Sequence, residues 1–470
     1  MSKKKYDAAI YLFNRDLRIQ DNELLADAAK NCSVVYPIFI FTPEQVIRNK
    51  YFNKRAVAFM YESLIELSHE IPLCFFKGDT IEVLKILIQA NKVNVVYNNI
   101  DVTPYAVKRS EKITKLCKQF DIDFVCGHDV FFGRHCTLTK ADGNPYLKFT
   151  PFYNNAIGKI KKEMPVNENN SAKKIKKYLK QITTSQNYDR IVQFKALHKF
   201  DPATSVFVPG RKAAERALAK YARSDVNYIA TRDIPAKNST THLSAYLHYG
   251  ILGPVEVADA LRGHKNYKEI VRQLIWREFY LYIIWMQHTD YKKESHTIRA
   301  NNKIKWRKAS GEYKRWCAGQ TGCPIVDAGM RELNETGYMQ NRLRMIVAMY
   351  LTFYLQIDWR FGELYFAQNL VDYDYCNNLG GWLWSAGWEV HSNEYYRTFA
   401  MASQMKRFDP DAEYVKKWVP ELKSLPAQDL YDWSASYKKY PDVKYIKPLI
   451  ADMDSARIAG IAMYRKAHGK

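Results

Sequence analysis

The chain has 470 residues, 47% of them hydrophobic, enough for more than one ordinary core and incompatible with a disordered protein. Lys and Arg number 71 against 49 Asp and Glu, a formal charge of +22, and this surplus favours a polyanionic partner such as nucleic acid over an acidic surface. No apolar run approaches the length of a membrane span, and the opening MSKKKYDAAIYLF passes from charge directly into a strand-like run without a signal-peptide cleavage pattern.

The first 130 or so residues alternate short apolar, β-branched runs (AAIYLF, SVVYPIFIF, LCFFKG, VNVVYNNI, IDFVCG) with helical patterns such as RAVAFMYESLIELSHEI and TIEVLKILIQANK. That alternation predicts an α/β, doubly wound, parallel-sheet (Rossmann-like) domain over 1–135, with a ligand crevice at the carboxyl ends of its strands. From Gly158 to Gln186 the chain turns polar and lysine-rich, with Pro165 and an asparagine cluster breaking any periodicity, so 136–208 is expected to connect two domains. Beyond Pro209 the strand signals fade. Long helical patterns (RKAAERALAKYARSD, GPVEVADALRG, YKEIVRQLIWREFYLYIIWMQ, NRLRMIVAMYLTFYLQ) predict an all-α domain over 209–470, and all ten tryptophans, Trp276 to Trp433, fall within it. The eight cysteines (Cys32, Cys74, Cys117, Cys126, Cys136, Cys317, Cys323, Cys376) form no CxxC pair or tight Cys/His cluster, so they are expected to be reduced thiols, and no metal site is expected.

Chemistry-bearing residues concentrate in the helical half. In RQLIWREFY, Gln273, Trp276 and Tyr280 share one helical face, where an aromatic beside an amide can stack on a base and read its edge, or simply form a core stripe. QNRLRM brings Asn341, Arg342, Arg344 and Met345 within a turn and a half. In DYDYCNNLGGWLW, Asp372 and Asp374 stand two apart before Asn378 and the Gly380–Gly381 pair. Those carboxylates suit donors of a bound heterocycle or pairing with arginine; glycoside hydrolysis, a metal, or a solvated Gly-rich loop are the other options.

WREFY, TGCPIVDAGMRELNETGYMQNRLRM, IDWR, DYDYCNN with GGWLW, and YRTFAMASQ together resemble the flavin domain of the photolyase and cryptochrome family, and FNRDLRIQDN resembles the start of its sheet domain. The resemblance runs from about residue 7 to about residue 465, with the segments in the family's order. It implies an antenna-binding sheet domain and a helical, catalytic domain holding FAD in a U shape. It further implies FAD contacts from Tyr228, Thr240, Thr241, Leu243, Ser244, Arg277, Asn341, Arg344, Asp372, Asp374 and Asn378, the last at the N5 edge of the flavin. Trp306, Trp359 and Trp382 match the family's electron relay. Arg232, Gln273, Trp276, Asn341, Arg342, Met345, Trp384 and Gln404 match the rim of a cavity that receives a flipped pyrimidine dimer.

The pattern departs from the family in places. Gln273 stands where bacterial-type relatives usually carry a glutamate that holds the dimer, and glutamine keeps the hydrogen bonds but not the charge. Asn341 occupies the place of the catalytic histidine of the (6-4) branch, which leaves QNRLRM with the cyclobutane type. Ala400-Met401 replaces the usual Asn-Pro, and Pro104-Tyr105 replaces the Asn-Glu pair of folate-binding relatives, so folate, deazaflavin and a second flavin all stay open as a second chromophore.

The expected function is repair of cyclobutane pyrimidine dimers in UV-damaged DNA by electron transfer from reduced FAD. The alternatives are a cryptochrome-type photoreceptor, against which the short tail MYRKAHGK speaks, (6-4) photoproduct repair, and a non-catalytic flavin-bearing nucleic-acid-binding protein. The protein is expected to act as a monomer, away from membranes, inside the cell in cytoplasm or nucleus.

Overall fold

The structure is a computed structural model, which describes residues 4–46, 49–132, 138–163, 172–183, 205–289, 303–387 and 398–467; side chains of 160–163 and 287–289 are not described. Cys136, Pro165 and the asparagine cluster, and the Tyr396–Arg397 end of YRTFAMASQ lie outside the described residues.

Each apolar run of the first part is a strand: β1 Tyr6–Leu12, β2 Cys32–Phe41, β3 Cys74–Lys77, β4 Val95–Asn99 and β5 Asp123–Gly127. All pair in parallel in the order β3-β2-β1-β4-β5. Helices α1 Glu23–Asn31, α2 Pro43–Val46, α3 Lys54–Ser68, α4 Thr80–Asn91 and α5 Pro104–Gln119 connect them. Their starts follow from local chemistry: Asn22, Asn53, Asp79 and Thr103 each accept from a first-turn backbone N–H, and Pro104 sits where the missing donor costs nothing. Because the chain reverses its order of strand addition between β1 and β4, a crevice opens outside their carboxyl ends.

Within the stretch expected to serve as a connection lie two helices, α6 Phe149–Glu163 and α7 Ala172–Lys176. The first is pinned against the helical part. The Tyr282 hydroxyl donates to the Leu138 carbonyl at 2.5 Å and accepts from Tyr146 N at 3.0 Å, while Phe152 packs on Phe279 with ring centroids 5.2 Å apart. The rest, among the described residues, is helical: α8 Arg211–Ala222, α9 Tyr228–Thr231, α10 Ser244–His248, α11 Pro254–Ala260, α12 Tyr267–Thr289, α13 Ser310–Cys317, α14 Pro324–Thr336, α15 Asn341–Met349, α16 Trp359–Asn369, α17 Tyr375–Ser385, α18 Met401–Phe408 and α19 Glu413–Trp418, followed by shorter turns and the helix Met453–Ala467.

The core is partitioned differently from the chain. One face of the sheet (Tyr11, Phe39, Phe41, Val95, Tyr97) and the apolar residues of α6 and α8 to α12 form one continuous cluster, in which Phe59 of α3 meets Tyr246 at 5.8 Å and Tyr249 at 5.4 Å. The opposite sheet face packs only on α4 and α5. A second large cluster, built from residues after Ile304, holds α14 to α19 together. The segment NRLRMIVAMYLTFYLQ is not one regular helix: α15 widens into a π-turn at Tyr350–Tyr354. Thr352, inside that turn, sends its hydroxyl back to Ala348 O at 2.9 Å, a bond that competes with the helical ladder.

Glu332 on α14 links this second core to pH. Burial pushes its pKa up to about 7, although the Tyr414 hydroxyl donates to its Oε2 at 2.7 Å and pulls the other way. In the unfolded chain a glutamate ionises near ~4.3, so between there and about 7 the native state holds the extra proton and stability falls as pH rises, then levels off. Replacing Glu332 with Gln should remove that slope. We expect the variant to exceed the parent in stability at pH 8, by up to about 3 kcal/mol, and to converge on it near pH 4, as read from denaturant unfolding at the two pH values. Parallel pH dependences of parent and variant would refute the assignment.

Candidate flavin and nucleic-acid site

The site is assembled where α17 meets α12, α15 and α16, with the β1 exit reaching in from the sheet. DYDYCNNLGGWLW is a helix here, not a flexible turn. Asp374 is its N-cap, accepting from Asn377 N at 2.9 Å, and both Asp372 and Asp374 are buried. The glycine pair lies inside the helix, and its first member is there for close approach: a Cβ at Gly380 would enter the Tyr280 ring. That contact packs α17 directly against the α12 face that carries Gln273, Trp276 and Tyr280, where Trp276 and Tyr280 rings lie 5.8 Å apart.

Arg344 of α15 grips Asp372 in a two-pronged pair, Nη2 lying 3.0 and 2.9 Å from its two oxygens, and turns its Nε onto Met339 O at 2.7 Å. The sequence placed these two together and they are together. Next to them, Thr240 Oγ1 meets the Tyr338 hydroxyl at 3.3 Å, and the Arg344 guanidinium lies over the Tyr338 ring. Tyr228 and Leu243 are buried, Thr240 and Thr241 half-buried, and Ser244 exposed at the first turn of α10. Arg277 is held by backbone carbonyls, Val130 O at 2.7 Å and Leu247 O at 3.4 Å, and burial lowers its pKa. Asn341 is exposed, with its amide 3.7 Å from Met345 Sδ.

Asp374 is committed inside the protein. Arg15, just past β1, binds it, and Arg15 also reaches Asp101 at 3.2 Å and His248 O at 3.0 Å. Burial pushes the Asp374 pKa up, but Arg15, His248 and Arg277 together hold the carboxyl well below the usual range. Sequence reasoning had read FNRDLR only as a mark of the sheet domain. Nothing local ties Arg15 to a carboxylate 359 positions on; the only available signal was that a buried Asp requires a cation.

Asn378 sends its amide nitrogen to Glu363 of α16, a residue that sequence reading did not select. The three relay tryptophans become more exposed in the order Trp382 (2%), Trp359 (6%) and half-buried Trp306. Gly362 lets Trp382 lie against α16, one turn from Trp359, since a Cβ there would collide with the Trp382 indole. On the rim, Trp276 is stacked face to face on Phe149 (3.5 Å, 6°), which was not anticipated because α6 falls in the polar stretch. Arg342 pairs with Asp233 at 3.1 Å and lies over the Phe408 ring at 4.4 Å; Trp384 meets Phe399 at 6.4 Å. Arg232 packs over Tyr228 and lies 3.9 Å from Glu269; Gln273 is half-buried beside them on α12. Several polar atoms of this region, Trp382 Nε1, Gln404 Oε1 and Ser239 Oγ, are buried without a hydrogen-bond partner. With Thr240, Thr241, the Arg344–Asp372 pair and the Asn378 amide, they form a donor and acceptor set that fits a large polar heterocycle with a phosphate tail.

Comparison with known proteins agrees with this geometry. The model described as the FAD binding domain of DNA photolyase matches residues 270–466, and that of DNA photolyase matches 9–169. The deoxyribodipyrimidine photo-lyase of Escherichia coli (strain K12) is 31% identical, covering 97% of this chain and 98% of its own. Among solved structures, an archaeal photolyase from Sulfolobus tokodaii, described with two FAD molecules, has a TM-score of 0.82 at 31% identity and covers 98% of this chain and 100% of its own. A bacterial class III photolyase from Agrobacterium tumefaciens has a TM-score of 0.85 at 26% identity, covering 100% and 99%.

The Arg15–Asp374 pair carries a direct test. Arg15→Ala leaves a buried carboxylate without its main cation and should cost about 3–5 kcal/mol of unfolding free energy, whereas Arg15→Ala with Asp374→Asn should recover much of it. The pair's contribution is fully present above the ordinary carboxylate pKa of about 4 and is lost as pH falls below it toward the depressed native value. Additive losses in the two variants, measured by denaturant unfolding at neutral pH, would show that the two groups do not depend on each other.

Proposed function

The chain belongs to the DNA photolyase family, and from that premise we propose that it repairs cyclobutane pyrimidine dimers in DNA, using light and reduced FAD held in its helical part. The observation that carries this reading is the convergence on α17. Asp372 and Asp374 at its start, Asn378 and Trp382 along it, and Trp384 at its end face α12, α15 and α16 around one pocket.

When bound, reduced FAD supplies the electron that opens the dimer and takes it back once the ring has split, so no net redox change results. What the chain's own residues do follows from their chemistry. Thr240, Thr241 and Ser244 offer hydroxyls, and the Leu243–Ser244 segment offers backbone amides, to the diphosphate; Tyr228 and Asn341 border it. Arg344, neutralised by Asp372, places a fixed dipole beside the flavin ring, and Arg277 adds a cation whose hydrogen bonds are already spent on backbone. Asn378 addresses the N5 edge. Asp374 acts at one remove, through Arg15, by fixing the start of α17. Trp306, Trp359 and Trp382 pass an electron inward from the surface to reduce the cofactor, the first accessible to an external donor and the last sealed from water.

The lesion enters from the rim. Flipping it out costs about a few kcal/mol, least where damage has already weakened stacking. Trp276 and Trp384 supply flat apolar walls; Gln273, Asn341, Arg342, Met345 and Gln404 line the mouth; Arg232 and the basic surface hold phosphates without reading sequence. Gln273 can hydrogen-bond the bases but adds no charge, so the added electron on the dimer is not repelled from this side. The protein works as a monomer inside the cell, where its substrate is, and no helix among the described residues is long and apolar enough to cross a membrane. A light-harvesting chromophore fits the crevice outside β1 and β4. There Tyr105 bonds Thr42 at 2.9 Å beneath Arg109, whose buried Nε has no partner; extraction identifies folate, deazaflavin or flavin.

Two experiments test the assignment. Reduced protein mixed with an oligonucleotide carrying one thymine dimer should restore thymine absorbance under light and not in darkness, and should leave a (6-4) photoproduct intact. Lesion binding without light-dependent recovery would leave a photoreceptor or passive binder. Trp276→Ala should weaken dimer binding by about 1–3 kcal/mol, while Trp382→Phe should block photoreduction yet leave repair by chemically reduced protein in place. Equal loss of repair in both assays would remove Trp382 from the relay.

A further inference from the structure

Asn378 Nδ2 donates to two atoms of Glu363, the backbone carbonyl at 3.2 Å and the carboxylate Oε1 at 3.1 Å. A backbone carbonyl only accepts, so the amide nitrogen must face α16 and the amide oxygen must face away from it. Glu363 is itself fixed: it is 6% exposed, and Oε1 also accepts from the Tyr373 hydroxyl at 3.2 Å. Burial pushes the Glu363 pKa up, the Asn378 and Tyr373 donors and Lys50 pull it back, and it stays above its ordinary value.

Tyr373 in turn is held from the sheet part of the molecule. Its ring is stacked on Tyr51 at 6.0 Å and 15°, with the Lys50 ammonium over Tyr51 at 4.9 Å. The loop carrying these residues is tied to α16 and its exit by Gln368 Nε2 donating to Lys50 O and Asn53 Nδ2 donating to Leu370 O, both 2.9 Å. The series Tyr51, Tyr373, Glu363, Asn378 therefore runs without a break from the surface to the pocket.

We infer that Glu363 and Tyr373 are positioning residues that lock the Asn378 amide with its oxygen toward the cofactor, and so favour reduced flavin with a proton on N5. This rests on the reading that Asn378 addresses N5. Oxidised flavin has only a lone pair there, which a carbonyl oxygen repels; reduced flavin has an N5–H, which the same oxygen accepts. A free amide would turn its NH2 group to the oxidised ring and erase the difference. Locked, it stabilises one redox state over the other, with the reorganisation cost met during folding.

The test uses the full chain loaded with FAD, in parent form and as Tyr373→Phe, Glu363→Gln and Asn378→Ala. The readouts are bound flavin per chain, midpoint potential by dye equilibration, and the rate of reoxidation in air after photoreduction. Tyr373→Phe keeps the stacked ring, and Glu363→Gln is isosteric but can donate as well as accept, which releases the amide. Both should retain flavin, lower the potential and reoxidise several-fold faster, with Asn378→Ala changing most. If Asn378→Ala shifts the potential while the other two match the parent, the positioning role is wrong and the Asn378 reading stands. If all three match the parent with flavin bound, Asn378 does not address N5 and the inference falls with it.

Discussion

The buried ion pair between Arg15 and Asp374 is the constraint on which the rest of the site depends. It joins the exit of the first strand to the first residue of the helix that carries most of the flavin-facing groups. Two charges taken out of water are expensive unless each is fully served by hydrogen bonds. Here Arg15 also binds Asp101 and the His248 carbonyl, and Asp374 also receives Asn377 and His248. The geometry that serves both is reached only when sheet, α10 and α17 are all in place. The pair therefore acts less as glue than as a register mark, fixing where α17 begins relative to the sheet's carboxyl edge.

From that fixed start the site's polar groups are positioned by one another rather than by solvent. Asp372 orients Arg344, Glu363 orients Asn378, and backbone carbonyls orient Arg277, so that donors and charges stand in place before a cofactor arrives. Such preorganisation matters for a reaction whose intermediates gain and lose single electrons, because any dipole free to turn would relax around the transient charge and hold it. The low exposure of Trp382 and Trp359 belongs to the same logic: electron carriers sealed from water see a stiff surrounding, and only the outermost, Trp306, meets solvent.

The parts of this arrangement that were legible in the sequence are those whose signal is local. Strand runs of four to ten residues and their capped helices were readable because burial on both sheet faces leaves uninterrupted apolar stretches. The Arg344–Asp372 and tryptophan assignments followed from the family resemblance, and the first of these is a direct contact in the structure. What could not be read was long-range pairing. Arg15, Glu363 and Tyr373 carry no motif of their own, and their significance lies in partners set by topology. Phe149 was hidden for another reason: it begins a helix inside a polar, lysine-rich stretch whose composition speaks for linker, while the one face that matters packs against Trp276. The glycine pair misled in the opposite sense. Gly380 lies within a helix because a neighbouring ring needs the space, a reason visible only across two helices.

Phe149 also bears on how a neutral Gln273 can suffice at the lesion. With one face of Trp276 covered by a parallel ring and its flank held by Phe279 at 5.9 Å, the indole has little freedom. The binding of a flat, damaged base pair against it then loses less entropy than binding to a mobile wall would. On the opposite side Arg342 is fixed by Asp233 and by the Phe408 ring, so its charge is partly neutralised but its plane is set. Recognition of this kind relies on shape and stacking, with charge confined to phosphate contacts at the rim. A carboxylate at position 273 would add a specific hydrogen-bond acceptor, but it would also place a negative charge beside a substrate that must accept an electron. Glutamine retains the hydrogen bonding without that charge, and the rigid aromatic wall makes up for the loss of a charged anchor.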